Sequence, residues 1–254
     1  MKTATTRTEL DSHITHLNGK IAYVPTMGAL HNGHLSLIKV AKETAPNVIV
    51  SIYVNPTQFA PHEDFDSYPR TVTEDAHKLK NAGVDILFLP NQDILYPNGF
   101  ETDVKAGEAG KGLDTNFRPH FFDGVVNVVY RLFDCVKPDA AIFGKKDFQQ
   151  LQVIKEMVEV LDLEIEIIGG EIARDTHGLA LSSRNAYLSE DELRIARTFN
   201  KILTSAAQSG DLDVATQRLL ENGFDKVDYI EKRWDRVLAA AWIGKTRLID
   251  NVPI

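Results

Sequence analysis

The stretch VPTMGALHNGH, from Val24 to His34, places two glycines and two histidines where an apolar run gives way to a helical pattern. Gly28 and Gly33 let the backbone approach a ligand closely, and a helix that opens near His34 offers unpaired N–H groups. Histidine side chains can hydrogen-bond phosphoryl oxygens. The stretch therefore predicts a strand, a phosphate-binding turn and a helix, with a nucleoside triphosphate as the ligand. Taken by themselves, these residues also allow a surface pair of histidines or half of a metal site.

Apolar runs rich in β-branched residues recur along the first two-thirds of the chain and alternate with helical patterns. They are Ile21–Pro25, Val48–Val54, Val84–Pro90, Ala140–Phe143 and Glu164–Ile168. The run Val48–Val54 is apolar almost throughout, which is typical of a strand covered on both faces in a parallel sheet. The alternation predicts an α/β fold with a doubly wound parallel sheet.

The pattern changes after Ser189, where Ser-Glu-Asp-Glu is typical of a helix N-cap with an acidic first turn. Helical segments continue from there to about Gly223. Three strand-like runs then follow, Val227–Glu231, Val237–Trp242 and Thr246–Ile249. We predict a first domain over residues 1–175 and a smaller α+β domain over residues 176–254.

Composition limits the expected partners and compartment. A formal net charge of −8 over 254 residues argues against a general nucleic-acid surface, so we expect small-molecule ligands. The one cysteine, Cys135, lies in an apolar helical pattern, which predicts a buried thiol in a reducing compartment. No apolar run approaches the ~18 residues of a membrane span, and no signal-like segment opens the chain. We expect a cytoplasmic protein with no membrane partner.

A second cluster, Phe143–Gln150, again follows a strand run and opens a helix. A lysine in this position can hold a triphosphate as a point charge. Asp147 can orient a ribose hydroxyl or a metal-bound water, and Gln150 can reach a substrate hydroxyl or carboxylate. A solvated helix start with an acidic residue explains the same segment equally well.

Three further segments carry candidate binding groups. Gln58 and Phe59 follow the second strand run and suit a small branched hydroxy acid, although an ordinary turn also explains them. The loop Leu181–Arg184 offers two hydroxyls and a guanidinium that can close on phosphates, or it is a plain linker. Glu74 and Asp75 either bind Mg²⁺ through oxygen or complement a helix dipole.

In this order, the segments resemble the pantoate–β-alanine ligase (pantothenate synthetase) family from about Ile21 to Asn251. The matching blocks are Val24–His34, Ser51–Phe59, Tyr68–Thr71, Asp147–Leu151, Gly178–Asn185, Tyr187–Leu188 and Arg247–Asn251. The resemblance implies a Rossmann-like domain of the HIGH-motif nucleotidyltransferase superfamily, a smaller C-terminal lid domain and a homodimer.

The resemblance also implies a reaction, the ATP-dependent condensation of (R)-pantoate with β-alanine to pantothenate. Pantoate and ATP would first give an enzyme-bound pantoyl adenylate and pyrophosphate, and β-alanine would then displace AMP. Mg²⁺ is the implied cofactor, with ATP as co-substrate.

Site residues are assigned by the same resemblance. The catalytic residues would be His31, His34, Lys146 and Arg184, with His34 as the catalytic acid. ATP binding would fall to Met27, Gly28, Ala29, Leu30, His31, Asn32, Gly33, His34, Gly144, Lys145, Lys146, Asp147, Ala173, Leu181, Ser182, Ser183 and Arg184. Pantoate and β-alanine would be bound by Gln58, Gln150, Phe59, Val125, Val128 and Val129. Mg²⁺ would be bound by Asp75 with Glu74.

The chain departs from the family pattern in four places. Phe121 stands where the family usually has histidine, and His120 lies one residue earlier. Lys145 replaces a common glutamate, and Asn127 replaces a frequent threonine. Only four residues, 232–235, lie between the segments Tyr229–Glu231 and Arg236–Leu238, where relatives often have some twenty more, which predicts a trimmed hairpin.

Two other functions compete with this interpretation. A nucleotidylyltransferase acting on a phosphate-bearing substrate would need more fixed positive charge than Gln58 and Gln150 supply. A binding protein that kept the fold but lost turnover is suggested by Phe121 and the short C-terminal part. Retention of both histidines, Lys146 and the Ser-Ser-Arg loop argues against it.

Overall fold

The structure, a computed structural model, describes residues 1–60, 63–101 and 104–254. The chain divides into two units. The first contains residues 1–144 and 149–171, and the second contains residues 145–148 and 172–254. The proposed domain boundary after residue 175 and the lid role of the C-terminal part stay predictions.

A six-stranded parallel sheet with the strand order β1-β4-β3-β2-β5-β6 forms the centre of the first unit. Its strands are β1 (Lys2–Ala4), β2 (Ile21–Thr26), β3 (Asn47–Ile52), β4 (Ile86–Phe88), β5 (Ala140–Gly144) and β6 (Glu166–Gly170). The helices are α1 (Arg7–Ile14), α2 (Asn32–Thr44), α3 (Val72–Asn81), α4 (Gln92–Leu95), α5 (Asp114–Phe117), α6 (Phe121–Val136) and α7 (Phe148–Val160). The α/β prediction is confirmed. The sequence pattern does not predict β1, because only its last residue is buried.

Different helices cover the two faces of the sheet. Ala22 and Val24 of β2 lie in one apolar cluster with Ile38 of α2. The Tyr23 ring, between them in sequence, packs edge-to-face on Phe133 of α6, with the ring centroids 6.3 Å apart. Every residue of β3 is buried, which confirms the prediction of a strand covered on both faces. Each fully buried valine or isoleucine contributes about 1.5–3 kcal/mol, so the central strands stabilise the sheet.

Helix α6 also carries the single cysteine. Cys135 is buried, and burial raises the pKa of its thiol, so the neutral form persists. The prediction of a core thiol is confirmed. Within the described ranges, no helix is long and apolar enough to cross a membrane.

Three helices and a three-stranded antiparallel sheet make up most of the second unit. They are α8 (Glu190–Ala196), α9 (Phe199–Ser209), α10 (Leu212–Glu221), β7 (Lys226–Arg233), β8 (Arg236–Ile243) and β9 (Thr246–Pro253). Ser189 forms the N-cap of α8 in a capping box with Glu192, as its sequence predicts. The predicted small sheet is confirmed.

The hairpin between β7 and β8 closes through only two residues. Arg233 pairs with Arg236, and the intervening Trp234 and Asp235 have φ values of +54° and +55°. Two consecutive positive φ values are the signature of a type I′ turn, whose twist matches that of the flanking strands. The trimmed hairpin is therefore complete, although neither turn residue is the glycine that such positions favour.

Asp235→Gly should raise the free energy of unfolding by about 0.5–1 kcal/mol, because glycine adopts a positive φ without the Cβ clash that costs about 1–2 kcal/mol. Urea unfolding measures the change. Lys232→Gly, in the extended part of the same hairpin, is the matched control and should lower stability. A lower unfolding midpoint for both variants would contradict this interpretation of the turn.

Candidate functional site

The turn after β2 leads directly into α2, as predicted. Gly28 and Ala29 have φ values of +85° and +50°, and α2 begins at Asn32 with His31 as its N-cap. His31 Nδ1 accepts a hydrogen bond from the Gly33 N–H at 3.1 Å, and His34 Nδ1 accepts one from the His31 N–H at 3.2 Å. Because both Nδ1 atoms act as acceptors, each neutral ring carries its proton on Nε2.

The two imidazoles lie side by side at the start of α2. Their ring centroids are 4.1 Å apart, with an angle of 41° between the ring planes, and both side chains are partly exposed. The first turn of a helix concentrates backbone N–H groups and positive dipole charge, which favours anions. Two Nε2–H donors beside that terminus give an arrangement suited to phosphate oxygens.

Glu74 and Asp75 share the first turn of α3 but differ in their surroundings. Glu74 is exposed, whereas the Asp75 side chain is fully buried. The Asp75 carboxylate accepts hydrogen bonds from the backbone N–H groups of Ala29 and Leu30, both at 2.8 Å. Among the residues that the structure describes, no group of three or more His, Cys, Asp or Glu could hold a metal ion. These two residues do not fit a shared Mg²⁺ site.

A buried amide orients Gln58, which lies in a 3-10 turn that follows β3. Asn55 is 1% exposed, and its Nδ2 donates to Gln58 Oε1 at 3.3 Å and to the Gly124 carbonyl at 3.1 Å. Tyr96 donates its hydroxyl to Asn55 Oδ1 at 2.9 Å, and burial raises the pKa of that phenol, so the donor stays protonated. The sequence suggests only a turn role for Asn55, since its long-range partners leave no local signal.

Gln58 also links two groups of residues that the sequence assigns to different ligands. Its Nε2 donates to Met27 Sδ at 3.1 Å. A side chain predicted to bind pantoate therefore contacts a side chain predicted to bind the nucleotide. The structure therefore brings together the turns after β2 and β3.

The other predicted substrate residues lie on α6, on α7 and beside the turn. Val125, Val128 and Val129 follow helical spacing on α6 and are buried, and Gln150 lies in the first turn of α7. The Phe59 ring makes edge-to-face contacts with Phe65 and Tyr68, at centroid distances of 5.3 and 5.9 Å. Gly144, assigned to ATP, is the last residue of β5.

In the second unit, a buried amide fixes the lysine turn. Lys145, Lys146 and Asp147 form a 3-10 turn, with Lys146 Nζ 3.9 Å from Asp147 Oδ2. Asn251 is 1% exposed, and its Nδ2 donates to the carbonyls of Lys145 and Lys146, both at 2.9 Å. Arg236 Nε donates to Asn251 Oδ1 at 2.5 Å, which sets the orientation of the amide. Asn251 thus positions the backbone that carries Lys146.

The Ser-Ser-Arg loop of the second unit is held by its own backbone and by Ala173. The Leu181 N–H donates to the Ala173 carbonyl at 2.9 Å, so these two predicted ATP residues adjoin each other. Ser182 forms the N-cap of the 3-10 turn over Ser183–Tyr187, with its hydroxyl accepting from the Arg184 N–H at 3.3 Å.

Asp175 anchors the segment that leads into this loop. Its carboxylate accepts from Arg197 Nε at 3.0 Å and from the N–H groups of His177 and Leu179 at 2.8 and 2.9 Å. Burial raises the pKa of this carboxyl, but the three hydrogen bonds outweigh burial and lower it overall. The carboxylate therefore stays charged at neutral pH.

Comparison with known proteins decides the family. A family model for pantoate–β-alanine ligase matches residues 2–253. The chain belongs to this family. A pantothenate synthetase from Mesorhizobium japonicum is 50% identical over 255 residues, covering 92% of this chain and 90% of the relative. One from Bradyrhizobium sp. is 47% identical over 271 residues, covering 98% and 95% of the two chains.

Solved structures of the pantoate–β-alanine ligase family share the fold. The pantothenate synthetase from Thermus thermophilus has a TM-score of 0.90 at 36% identity, covering 100% of this chain and 99% of that chain. The pantoate–β-alanine ligase from Francisella tularensis, complexed with beta-gamma ATP and β-alanine, has a TM-score of 0.93 at 39% identity, covering 100% and 97%.

This member of the pantoate–β-alanine ligase family accommodates Phe121 by packing a cation on it. The Arg118 guanidinium lies 3.7 Å from the centroid of the Phe121 ring. The same guanidinium donates to Glu63 Oε1 at 2.6 Å and to the Gln58 carbonyl at 3.2 Å. His120, one residue before Phe121, is exposed. Phe121 thus helps to hold an arginine that supports the Gln58 turn.

Asn127, the other residue of α6 that departs from the family pattern, ties the segment at Val104 to the helix. Its Oδ1 accepts from the Val104 N–H at 3.2 Å, and its Nδ2 donates to the carbonyls of Val104 and Asp123. A threonine hydroxyl has one donor and no amide, so it cannot make all three bonds.

Gly124 lets the Gln58 turn approach α6. A Cβ at this position would lie 2.3 Å from the Thr57 carbonyl oxygen and 2.9 Å from the Gln58 backbone nitrogen. Both neighbours are backbone atoms and cannot move aside by changing a rotamer. The sequence gives no local signal for this role.

Gly124→Ala should lower the free energy of unfolding by about 1–3 kcal/mol, because the added methyl group overpacks the contact with the Thr57–Gln58 backbone. Urea unfolding followed by circular dichroism measures the effect. Helix propensity acting by itself predicts the opposite sign, a gain of up to about 1 kcal/mol. A higher unfolding midpoint would therefore contradict the close approach.

Proposed function

We propose that this chain condenses (R)-pantoate with β-alanine through an enzyme-bound pantoyl adenylate, with ATP as co-substrate. Membership of the pantoate–β-alanine ligase family supports the overall reaction. The observation that carries the adenylation step is the pair of His31 and His34 at the N-terminus of α2, each with Nδ1 accepting a backbone N–H and Nε2 carrying the proton.

The chemistry explains why activation is needed. A carboxylate resists attack by an amine because its leaving group would be oxide. In the first half-reaction a pantoate carboxylate oxygen attacks the α-phosphorus of ATP, and pyrophosphate leaves. In the second, the β-alanine nitrogen attacks the acyl carbon, AMP leaves with the carboxylate oxygen, and the amine gives up a proton. Alignment of the reactants supplies roughly 7–11 kcal/mol of such a barrier.

We assign the phosphate-binding roles to donors and fixed cations. His31 and His34 donate Nε2–H hydrogen bonds to phosphate oxygens, and the His34 hydrogen bond stabilises the charge on the departing pyrophosphate without transfer of the proton. Lys146 acts as a point charge on the phosphates, and Arg184, with Ser182, Ser183 and the rest of the loop, neutralises charge that develops in the transition state. The remaining residues that we propose to bind ATP are those of the turn after β2, through their backbone, together with Gly144, Lys145, Asp147, Ala173 and Leu181.

The substrate residues favour a small, branched hydroxy acid that carries no phosphate group. Gln58 and Gln150 offer amide donors and acceptors, and Val125, Val128 and Val129 with Phe59 offer apolar surface. A phosphate-bearing acceptor would call for fixed cations at these positions. The ligands of the Francisella tularensis structure, beta-gamma ATP and β-alanine, support small-molecule substrates.

We propose that Mg²⁺ enters with ATP as the counter-ion of its phosphates. Asp75 and Glu74 do not fit a shared metal site, so we do not assign the ion to them. The homodimer and the cytoplasmic location stay predictions.

Pyrophosphate release from the purified protein tests the proposed function. With ATP, Mg²⁺ and pantoate but no β-alanine, we expect pyrophosphate up to about one equivalent per active site. Adding β-alanine should give continuous turnover, with pantothenate detected by mass spectrometry. Release that does not depend on pantoate would contradict the proposal and favour another acceptor.

His34→Ala and Lys146→Ala should each fold normally and lose about 10²–10³ in the rate of pantoate-dependent pyrophosphate release, the effect of removing one transition-state donor. The matched controls are His16→Ala and Lys39→Ala, which remove exposed side chains outside the proposed site. Circular dichroism checks the fold of all four. Near-wild-type rates in both site variants would refute the assignment.

A further inference from the structure

The backbone between β2 and α2 adopts a conformation that needs support. Gly28 and Ala29 are consecutive residues in the left-handed region, at φ +85° and +50°. For a residue with a Cβ, such as Ala29, that conformation costs about 1–2 kcal/mol. A Cβ on Gly28 would lie 3.2 Å from Asp75 Oδ2 and 3.0 Å from Ile52 Cγ2. The turn therefore persists only because its surroundings hold it.

The Asp75 carboxylate supplies that support. Oδ2 accepts from the Ala29 N–H and Oδ1 from the Leu30 N–H, each at 2.8 Å. Thr71 Oγ1 adds a bond to Oδ2 at 3.1 Å. Successive N–H groups in a turn form a concavity that binds anions. The anion bound here is the protein's own carboxylate.

Lys78 completes the arrangement from the next turn of α3. Its Nζ donates to the Leu30 carbonyl at 2.7 Å and lies 3.8 Å from Asp75 Oδ1. The backbone N–H and C=O of Leu30 are thus both bound by side chains of α3. Leu30 directly precedes His31, so fixing the Leu30 backbone also fixes the position from which the His31 side chain extends.

These contacts argue against Asp75 as a ligand of Mg²⁺. A magnesium ion takes oxygen ligands with free lone pairs and keeps several waters. Both oxygens of Asp75 already accept short hydrogen bonds, the side chain is fully buried, and an ammonium group stands 3.8 Å away.

We propose that Asp75 is a positioning residue for adenylation: its carboxylate fixes the left-handed turn and thereby sets His31 and His34 toward the phosphates of ATP. The inference rests on the proposed function for its catalytic consequence. The hydrogen-bonding role of Asp75 is measurable without catalysis.

Asp75→Asn leaves one acceptor oxygen for two N–H donors, so one of them loses its partner. We expect kcat for pantoate-dependent pyrophosphate release to fall by about tenfold or more, the effect of one unpaired buried donor. The Mg²⁺ concentration for half-maximal rate should stay unchanged. Ala29→Gly should restore part of kcat in the Asp75→Asn background, because glycine adopts φ +50° without the Cβ penalty. A tenfold rise in the half-maximal Mg²⁺ concentration, with no rescue by Ala29→Gly, would overturn the inference.

Lys78→Met provides a second test that keeps the Asp75 carboxylate and both of its backbone hydrogen-bond donors. A positioning role predicts a lower kcat with an unchanged Mg²⁺ requirement, since the Leu30 carbonyl loses its donor. A metal-ligand role predicts the opposite, tighter Mg²⁺ binding after removal of a neighbouring cation. Lys80→Met, exposed on the same helix, is the matched control.

Amide hydrogen exchange separates this inference from the proposed function. In the wild-type protein without nucleotide, we expect the Ala29 and Leu30 amides to be protected and their NMR shifts to stay constant when MgCl₂ is added. Asp75→Asn, or Lys78→Met if the former does not fold, should accelerate exchange of at least one of the Ala29 and Leu30 amides by about tenfold or more. Unprotected amides, or shifts that follow MgCl₂, would refute the positioning role, whereas absent pyrophosphate release in the wild type would refute only the proposed reaction.

Discussion

Parallel pairing of β2 with β3 on one side and β5 on the other is the constraint on which the first unit depends. Because parallel strands end at the same edge, the turns that follow β2 and β3 emerge side by side. The contact between Gln58 Nε2 and Met27 Sδ is the direct consequence. The sheet therefore brings the turn proposed to bind phosphate beside the turn proposed to bind pantoate.

Buried polar groups then give these turns their shape. Asn55 orients Gln58, Asp75 holds the left-handed turn at Gly28 and Ala29 through the N–H groups of Ala29 and Leu30, and Asn251 fixes the carbonyls of Lys145 and Lys146. Each of these side chains is almost fully buried and hydrogen-bonded, so its loss would leave unpaired groups that cost about 1–3 kcal/mol each. The residues proposed to bind ligands through polar side chains are partly exposed, whereas the residues that position them are buried.

Most of the sheet and the main elements of the candidate site follow from local sequence patterns. Continuous apolarity predicts β3, and glycines beside histidines predict the turn before α2. The strand β1 lacks this signal, since Lys2 and Thr3 are exposed and only Ala4 is buried. The supporting roles of Asp75 and Gly124 have no local signal either, because their partners lie far away in sequence: Asp75 and Ala29 are 46 residues apart. In sequence, Asp75 is indistinguishable from an acidic residue that complements a helix dipole or binds a metal.

Transfer of oxygen from pantoate to AMP tests the central claim most directly. The reaction would be run with ATP, β-alanine and pantoate labelled with ¹⁸O in its carboxylate, and the AMP would be analysed by mass spectrometry. Attack of the carboxylate on the α-phosphorus predicts one ¹⁸O atom in each AMP formed. Unlabelled AMP formed alongside pantothenate would show that activation occurs elsewhere and would contradict the adenylate mechanism.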